Sequence, residues 1–147
     1  MSPWVNIALI VPAIIIIGSI VLIRIKSKLE NKIFHYRHEG IILQTSLAFF
    51  LMRNPDDLRR RFMGMAILTG ERLVVFNWKQ IPVFECEFHG AGTDEPERCE
   101  LRPGTDKKNI TVYCRCEKTE RQITMGVRNA DAWQLEFSRL RSYESSE

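Results

Sequence analysis

No charged side chain occurs before Arg24 in this 147-residue chain. That absence excludes a positively charged n-region, and the apolar run that follows is too long for a secretory leader and ends in no A-x-A pattern. Cysteine is sparse: Cys86, Cys99, Cys114 and Cys116 follow no small-secreted-domain framework, and nothing in their spacing demands that they pair. Histidine is scarcer still, with three residues. His35 and His38, three apart, and Cys114 and Cys116, two apart, do not supply four ligands at a recognisable zinc spacing. Buried small cysteines are therefore expected, with no metal and no cofactor. A nucleophile elbow, P-loop, dinucleotide fingerprint, zinc-protease helix and convincing acid pair are all missing, so the sequence reads as a non-enzyme. His89 is a lone loop histidine, and Glu85 with Glu87 marks one exposed strand face.

What is present starts with residues 4–23, WVNIALIVPAIIIIGSIVLI. At about 1.5 Å per residue, a helix of this length covers a hydrocarbon core roughly 30 Å thick. Only a helix satisfies every backbone group within one segment in lipid, so β-branched side chains do not argue against it. Pro12 can bend the helix, Asn6 lies near an interface, and Trp4 holds an aromatic-belt position. Residues 1–24 are thus expected to form a single transmembrane helix. Arg24, Lys26, Lys28 and Lys32 crowd its C-terminal flank, which by the positive-inside rule leaves the N-terminus outside and the domain in the cytoplasm. The same four residues are expected to touch anionic lipid, each contributing about 1 kcal/mol. On that side of the membrane the Asn109-Ile110-Thr111 sequon stays silent.

The formal net charge of +3 is unevenly spread. Residues 24–61 hold 9 basic and 4 acidic side chains (+5), whereas residues 62–147 hold 12 and 14 (−2). Nucleic-acid binding would call for a broader basic excess and is not expected. Residues 25–39 read as a basic juxtamembrane stalk, a helical extension that lifts the domain off the bilayer. After Gly40 the pattern turns to short strands, expected at 41–52, 62–68, 72–78, 82–88, 98–102, 109–116 and 121–127. Turn residues separate them at 54–57, 69–71, 90–92 and 103–106. Ile110, Val112, Cys114 and Cys116 alternate cleanly toward one face. A closing helix starts at a cap supplied by Asn129 or Asp131 and carries Ala130, Trp133, Phe137 and Leu140 on one face. The domain spans 40–142, with a polar tail at 143–147. The fold class is α+β, mainly β: after the transmembrane helix, a seven-stranded, bent antiparallel barrel closed by the C-terminal helix.

The run Gly64-Met65-Ala66-Ile67-Leu68-Thr69-Gly70-Glu71-Arg72-Leu73-Val74-Val75-Phe76 resembles the second hairpin of GRAM and bacterial PH-like domains. Ile81-Pro82 and the final Asn-Ala-Asp-Ala-Trp helix are similar to the same superfamily. The resemblance spans roughly residues 40–141 and implies a PH-like fold that hosts lipid binding, peptide binding or scaffolding. It also directs attention to the segment between the first two strands, where Arg53, Arg59, Arg60 and Arg61 match the basic loop with which phosphoinositide-binding relatives grip phosphate. Asp56 and Asp57 offset part of that charge, and the family's Lys-x-Arg arrangement on the first strand is missing. Two functions follow as expectations. One is a membrane-tethered adaptor or accessory subunit of a membrane protein complex, with a membrane-protein partner or a second copy. The other is a phosphoinositide or anionic-lipid headgroup sensor using the four arginines.

Overall fold

The structure, a computed structural model, describes residues 3–54, 59–88, 98–104, 108–116 and 119–142. Helix α1 runs unbroken over Pro3–Phe34, with Pro12 inside it. Ile15 and its neighbours project into open space, Ile15 being 62% exposed. Among the described residues this is the one helix long and apolar enough to cross a membrane. A short 3-10 turn, Arg37–Glu39, and Gly40 at φ 74° end the helical region. The left-handed backbone there is one that glycine adopts without steric penalty.

Eight strands follow: β1 (Ile41–Gln44), β2 (Ala48–Arg53), β3 (Arg59–Thr69), β4 (Arg72–Asn77), β5 (Pro82–Glu87), β6 (Arg98–Pro103), β7 (Asn109–Cys116) and β8 (Thr119–Gly126). Helix α2 (Ala130–Ser142) closes the order. The class is α+β with a single, mainly β, antiparallel sheet, as the sequence indicates. The first expected strand is divided in two, because Thr45 breaks the run. Its N–H donates to the Ala66 carbonyl at 2.9 Å, and its Oγ1 accepts from the Ala66 N–H at 2.9 Å. The threonine side chain thus stands in for a strand carbonyl while the chain turns.

The sheet order is β5-β4-β3-β2-β8-β7-β6, with β1 also pairing on β3. No ladder joins β5 to β6 among the described residues, so the sheet bends without closing. Its concave face buries Phe50, Leu68, Val75, Phe84, Ile110, Val112 and Ile123, and α2 covers them with Ala130, Trp133, Phe137 and Leu140. Asn129 caps α2, its Oδ1 accepting from the Ala132 N–H at 3.1 Å. On β7, Ile110, Val112 and Cys114 point inward as the alternation predicts, while the Cys116 side chain lies outside the described set.

Strands β3 and β4 are buried on both faces. Ala66, Leu68, Leu73 and Val75 face the concave core, and Met65, Ile67, Val74 and Phe76 form a second cluster with Leu29 and Ile33 of α1. Near-continuous apolar runs, not alternation, are what a doubly covered strand requires. Residues 25–39, expected to hold the domain away from the bilayer, therefore also supply packing: Leu29 is 0% and Ile33 3% exposed.

Candidate functional site

Three features bear on function: the joint between α1 and the sheet, the seam between the sheet's two edges, and the basic surfaces.

The joint has an apolar part and an ionic part. Ile25, Leu29 and Ile33 recur along α1 and, with Tyr36 just past its end, meet the convex face of β3 and β4. The Tyr36 and Phe76 rings lie 5.4 Å apart, edge to face. Beyond the helix end, Arg72 of β4 forms a fork on Glu39. Its Nε donates to Oε2 at 3.0 Å and its Nη2 to Oε1. The remaining Nη1 donates to Glu85 Oε1 on β5 at 2.6 Å, and the guanidinium lies 5.2 Å from the Tyr36 ring centroid. The hydrogen bond from Arg72 holds the Glu39 carboxyl below its ordinary value against the opposing effect of burial. Glu39 in turn raises Arg72. One arginine, itself on β4, thereby ties the 3-10 turn after α1 to β4 and β5. Glu85, expected on an exposed face, is engaged in this network. The sequence offered no signal for Arg72 beyond its place in the hairpin pattern.

The seam is bridged by sulfur. Cys86 on β5 and Cys99 on β6, 13 residues apart, form a disulfide between the two sheet edges. This corrects the expectation that the cysteines stay unpaired: a sheet whose edges approach each other brings together two residues that no local pattern relates. Cys114 Sγ lies 2.8 Å from Cys99 Sγ, and the three buried sulfurs are within 4.8 Å of one another. Arg121 of β8 reaches across the same opening, donating to the Glu85 carbonyl at 3.4 Å and lying 5.5 Å from the Phe84 ring centroid.

The basic residues fall into separate places. Arg24, Lys26, Lys28 and Lys32 sit on α1 where the exposed apolar run gives way to the packed turns. Lys26 pairs loosely with Glu30 at 3.8 Å. The four arginines of the other group lie on strands, not in a loop. β3 begins at Arg59 instead of Phe62, and Arg53 of β2 stands directly opposite Arg59 in the ladder. Arg61 is opposite Leu51 and Arg60 opposite Met52, so Arg53, Arg59 and Arg61 share one face while Arg60 starts from the other. Pro55, Asp56, Asp57 and Leu58 of the intervening turn, and His89, lie outside the described residues. Arg53 and Arg59 line a shallow depression of about 260 Å³ with Tyr113 and Gln122.

A larger cleft, about 750 Å³, opens between α1, the β1–β2 bend and the start of α2. Lys26 and Glu30 form one wall, Lys108 and Arg128 another, and Leu43, Met65 and Trp133 lie along its floor. Next to it Phe49, 77% exposed, borders an apolar groove of about 430 Å³ with Phe62 and Met125.

No family model matches the chain, and no curated protein matches it. One solved structure to which it is similar is described as "Vav1 inhibited by an allosteric inhibitor: Vav1 inhibitors block GEF activity". The likeness covers 76% of this chain at 12% identity with a TM-score of 0.49. This chain spans only 29% of that structure's length, and a likeness this loose says nothing about activity.

Proposed function

We propose that this chain is a membrane-tethered, PH-like binding module that serves as an adaptor or accessory subunit of a membrane protein complex. The observation that carries the reading is the continuity of α1. A single helix passes from thirteen exposed large apolar side chains between Trp4 and Ile23 into turns that are packed on the sheet, with Leu29 fully buried. Exposed apolar surface on that scale is unfavourable in water and favourable in lipid. The domain beyond it is then held in a fixed orientation to the helix, as a subunit that presents one face to a neighbour requires. Binding, not catalysis, accounts for the groups present.

The test is fractionation followed by capture. Alkaline carbonate should leave the full chain in the membrane pellet. Mild-detergent purification should then recover a stoichiometric membrane protein or a second copy of the chain. That recovery should fail when residues 4–23 are exchanged for an unrelated transmembrane sequence. A chain extracted by carbonate, or one that purifies alone in both forms, refutes the reading.

The pairing of Arg53 with Arg59, with Arg61 on the same face, favours a second reading, a sensor of phosphoinositide or other anionic headgroups. Guanidinium groups so arranged suit phosphate oxygens. Charge reversal of Arg59, Arg60 and Arg61 should abolish selectivity for anionic vesicles on this reading and leave a protein complex intact on the first.

A further inference from the structure

We infer that the cleft between α1 and the domain is a binding site for the headgroup of an anionic phospholipid, distinct from the Arg53–Arg61 surface. The inference rests on the membrane reading above, because α1 fixes where the cleft lies. Lys26 is three residues past Ile23, about 4.5 Å further along the helix axis. The headgroup layer on each side of a bilayer is roughly 5–8 Å thick. The wall formed by Lys26 therefore stands within the headgroup layer, and the packing of Leu29 against the sheet keeps the domain's own wall beside it.

The chemistry of the walls suits an anion. Among the described residues, Lys26, Lys108 and Arg128 line the cleft with a single acidic side chain, Glu30, which is engaged with Lys26 at 3.8 Å. Arg128 has no ion-pair partner among the described residues. Lys108 and Arg128 belong to neighbouring turns, since the Val127 N–H donates to the Lys108 carbonyl at 2.8 Å, so the two cations approach from one side. Lys26 closes the other. The apolar floor of Leu43, Met65 and Trp133 suits the glycerol end of a lipid better than a small hydrated ion. Basic pockets at this depth are where headgroup recognition is found in membrane proteins generally. The volume of about 750 Å³ has room for a headgroup with its glycerol.

Phosphatidylglycerol serves as the probe. Full-length protein in mixed micelles of phosphatidylglycerol and phosphatidylcholine is read by native mass spectrometry. The wild type should carry phosphatidylglycerol in preference to phosphatidylcholine. The pair Lys108→Glu with Arg128→Glu should weaken that adduct about tenfold or more, the scale set by two surface cations. Lys108→Gln with Arg128→Gln should weaken it in the same direction, which protects the result against misfolding of the reversal pair. Lys108→Arg with Arg128→Lys should retain the adduct, as should the triple reversal of Arg59, Arg60 and Arg61. Three outcomes overturn the site: no anionic preference in the wild type, an adduct that survives both neutralised pairs, or loss of the adduct in the Arg59–Arg61 triple alone. Millimolar inorganic phosphate that displaces the lipid completely assigns the cleft to a free phosphate and overturns the lipid assignment. Carbonate extraction of the membranes from which the protein is purified reads the membrane reading separately. Protein in the pellet without the preference removes the cleft alone, whereas protein in the supernatant removes the anchor.

Discussion

Truncating Leu29 tests whether α1 is part of the domain or a free tether. Leu29 is fully buried among Met65, Ile67, Val74, Phe76 and Ile33. Leu→Ala at such a site costs about 2–5 kcal/mol, depending on how far the surroundings collapse. Here one side is a hydrogen-bonded sheet that cannot move inward and the other a helix that can tilt slightly, so a value of about 3 kcal/mol is expected. For a domain of this size each kcal/mol lowers Tm by roughly 4 °C or more, giving a shift of roughly 12 °C. Thermal unfolding of the full chain in mild detergent, in a Trp4→Phe, Trp78→Phe background where the fluorescence comes from buried Trp133 alone, reads the sheet domain. Exposed Lys28→Ala is the control, expected within about 0.5 kcal/mol of wild type. A double-mutant cycle of Leu29→Ala with Met65→Ala should show a coupling of about 0.5–3 kcal/mol. Leu29→Ala and Ile33→Ala both indistinguishable from the Lys28 control would show that the helix does not bear on the sheet.

Other perturbations probe other parts. At Gly64, a Cβ would meet the Phe76 carbonyl oxygen across the β3–β4 ladder, so Gly64→Ala must force the strands apart. A loss of about 3 kcal/mol or more is expected by chemical denaturation, and a wild-type midpoint would show that the hairpin is not paired there. Glu39→Gln should lower stability by about 2 kcal/mol at neutral pH by neutralising one of the two carboxylates, Glu39 and Glu85, that accept from Arg72. Because Glu39 is depressed in the fold, its contribution is fully present above the ordinary carboxylate value of 4.5 and fades as pH falls below it, so wild type and variant should converge in acid. The Cys86–Cys99 bridge closes a 13-residue separation, for which chain entropy gives about 3 kcal/mol. Reductant should lower Tm of the wild type and leave Cys86→Ala unchanged; equal response in both would place the thiols unpaired.

The parts of this structure set by local pattern were legible in the sequence. The period-two run Ile110, Val112, Cys114 and the helical stripe Ala130, Trp133, Phe137, Leu140 each name their buried face without outside help. The exposed apolar length of α1 is equally plain. The bend at Thr45 was hidden because the chain on either side of it is apolar and strand-like, and only the side-chain bond to Ala66 marks the break. The stripe Ile25, Leu29, Ile33, Tyr36 was masked by charged neighbours that read as a stalk. A signal for it was available: Met65-Ala66-Ile67-Leu68 and Leu73-Val74-Val75-Phe76 do not alternate, which requires a cover on each face. The sulfur seam and the three-cation cleft join residues 13 or more positions apart through the curvature of the sheet, which no window of sequence contains.

On the membrane reading proposed above, which side receives the domain is contested by two features of the same chain. Arg24, Lys26, Lys28 and Lys32 favour the cytoplasm, whereas a Cys86–Cys99 disulfide persists most readily in an oxidising compartment. Their timing differs. The basic flank acts while the helix inserts, before β5 and β6 exist to bring their sulfurs together. On that membrane reading, orientation should therefore follow the charges. The sequon at Asn109 is a built-in reporter, since it sits in the domain and is glycosylated only if that domain is translocated. Translation into microsomes should give an unglycosylated chain whose domain is open to external protease. A glycan that disappears in Asn109→Gln would reverse the orientation, and the disulfide would then be the feature that had reported it correctly.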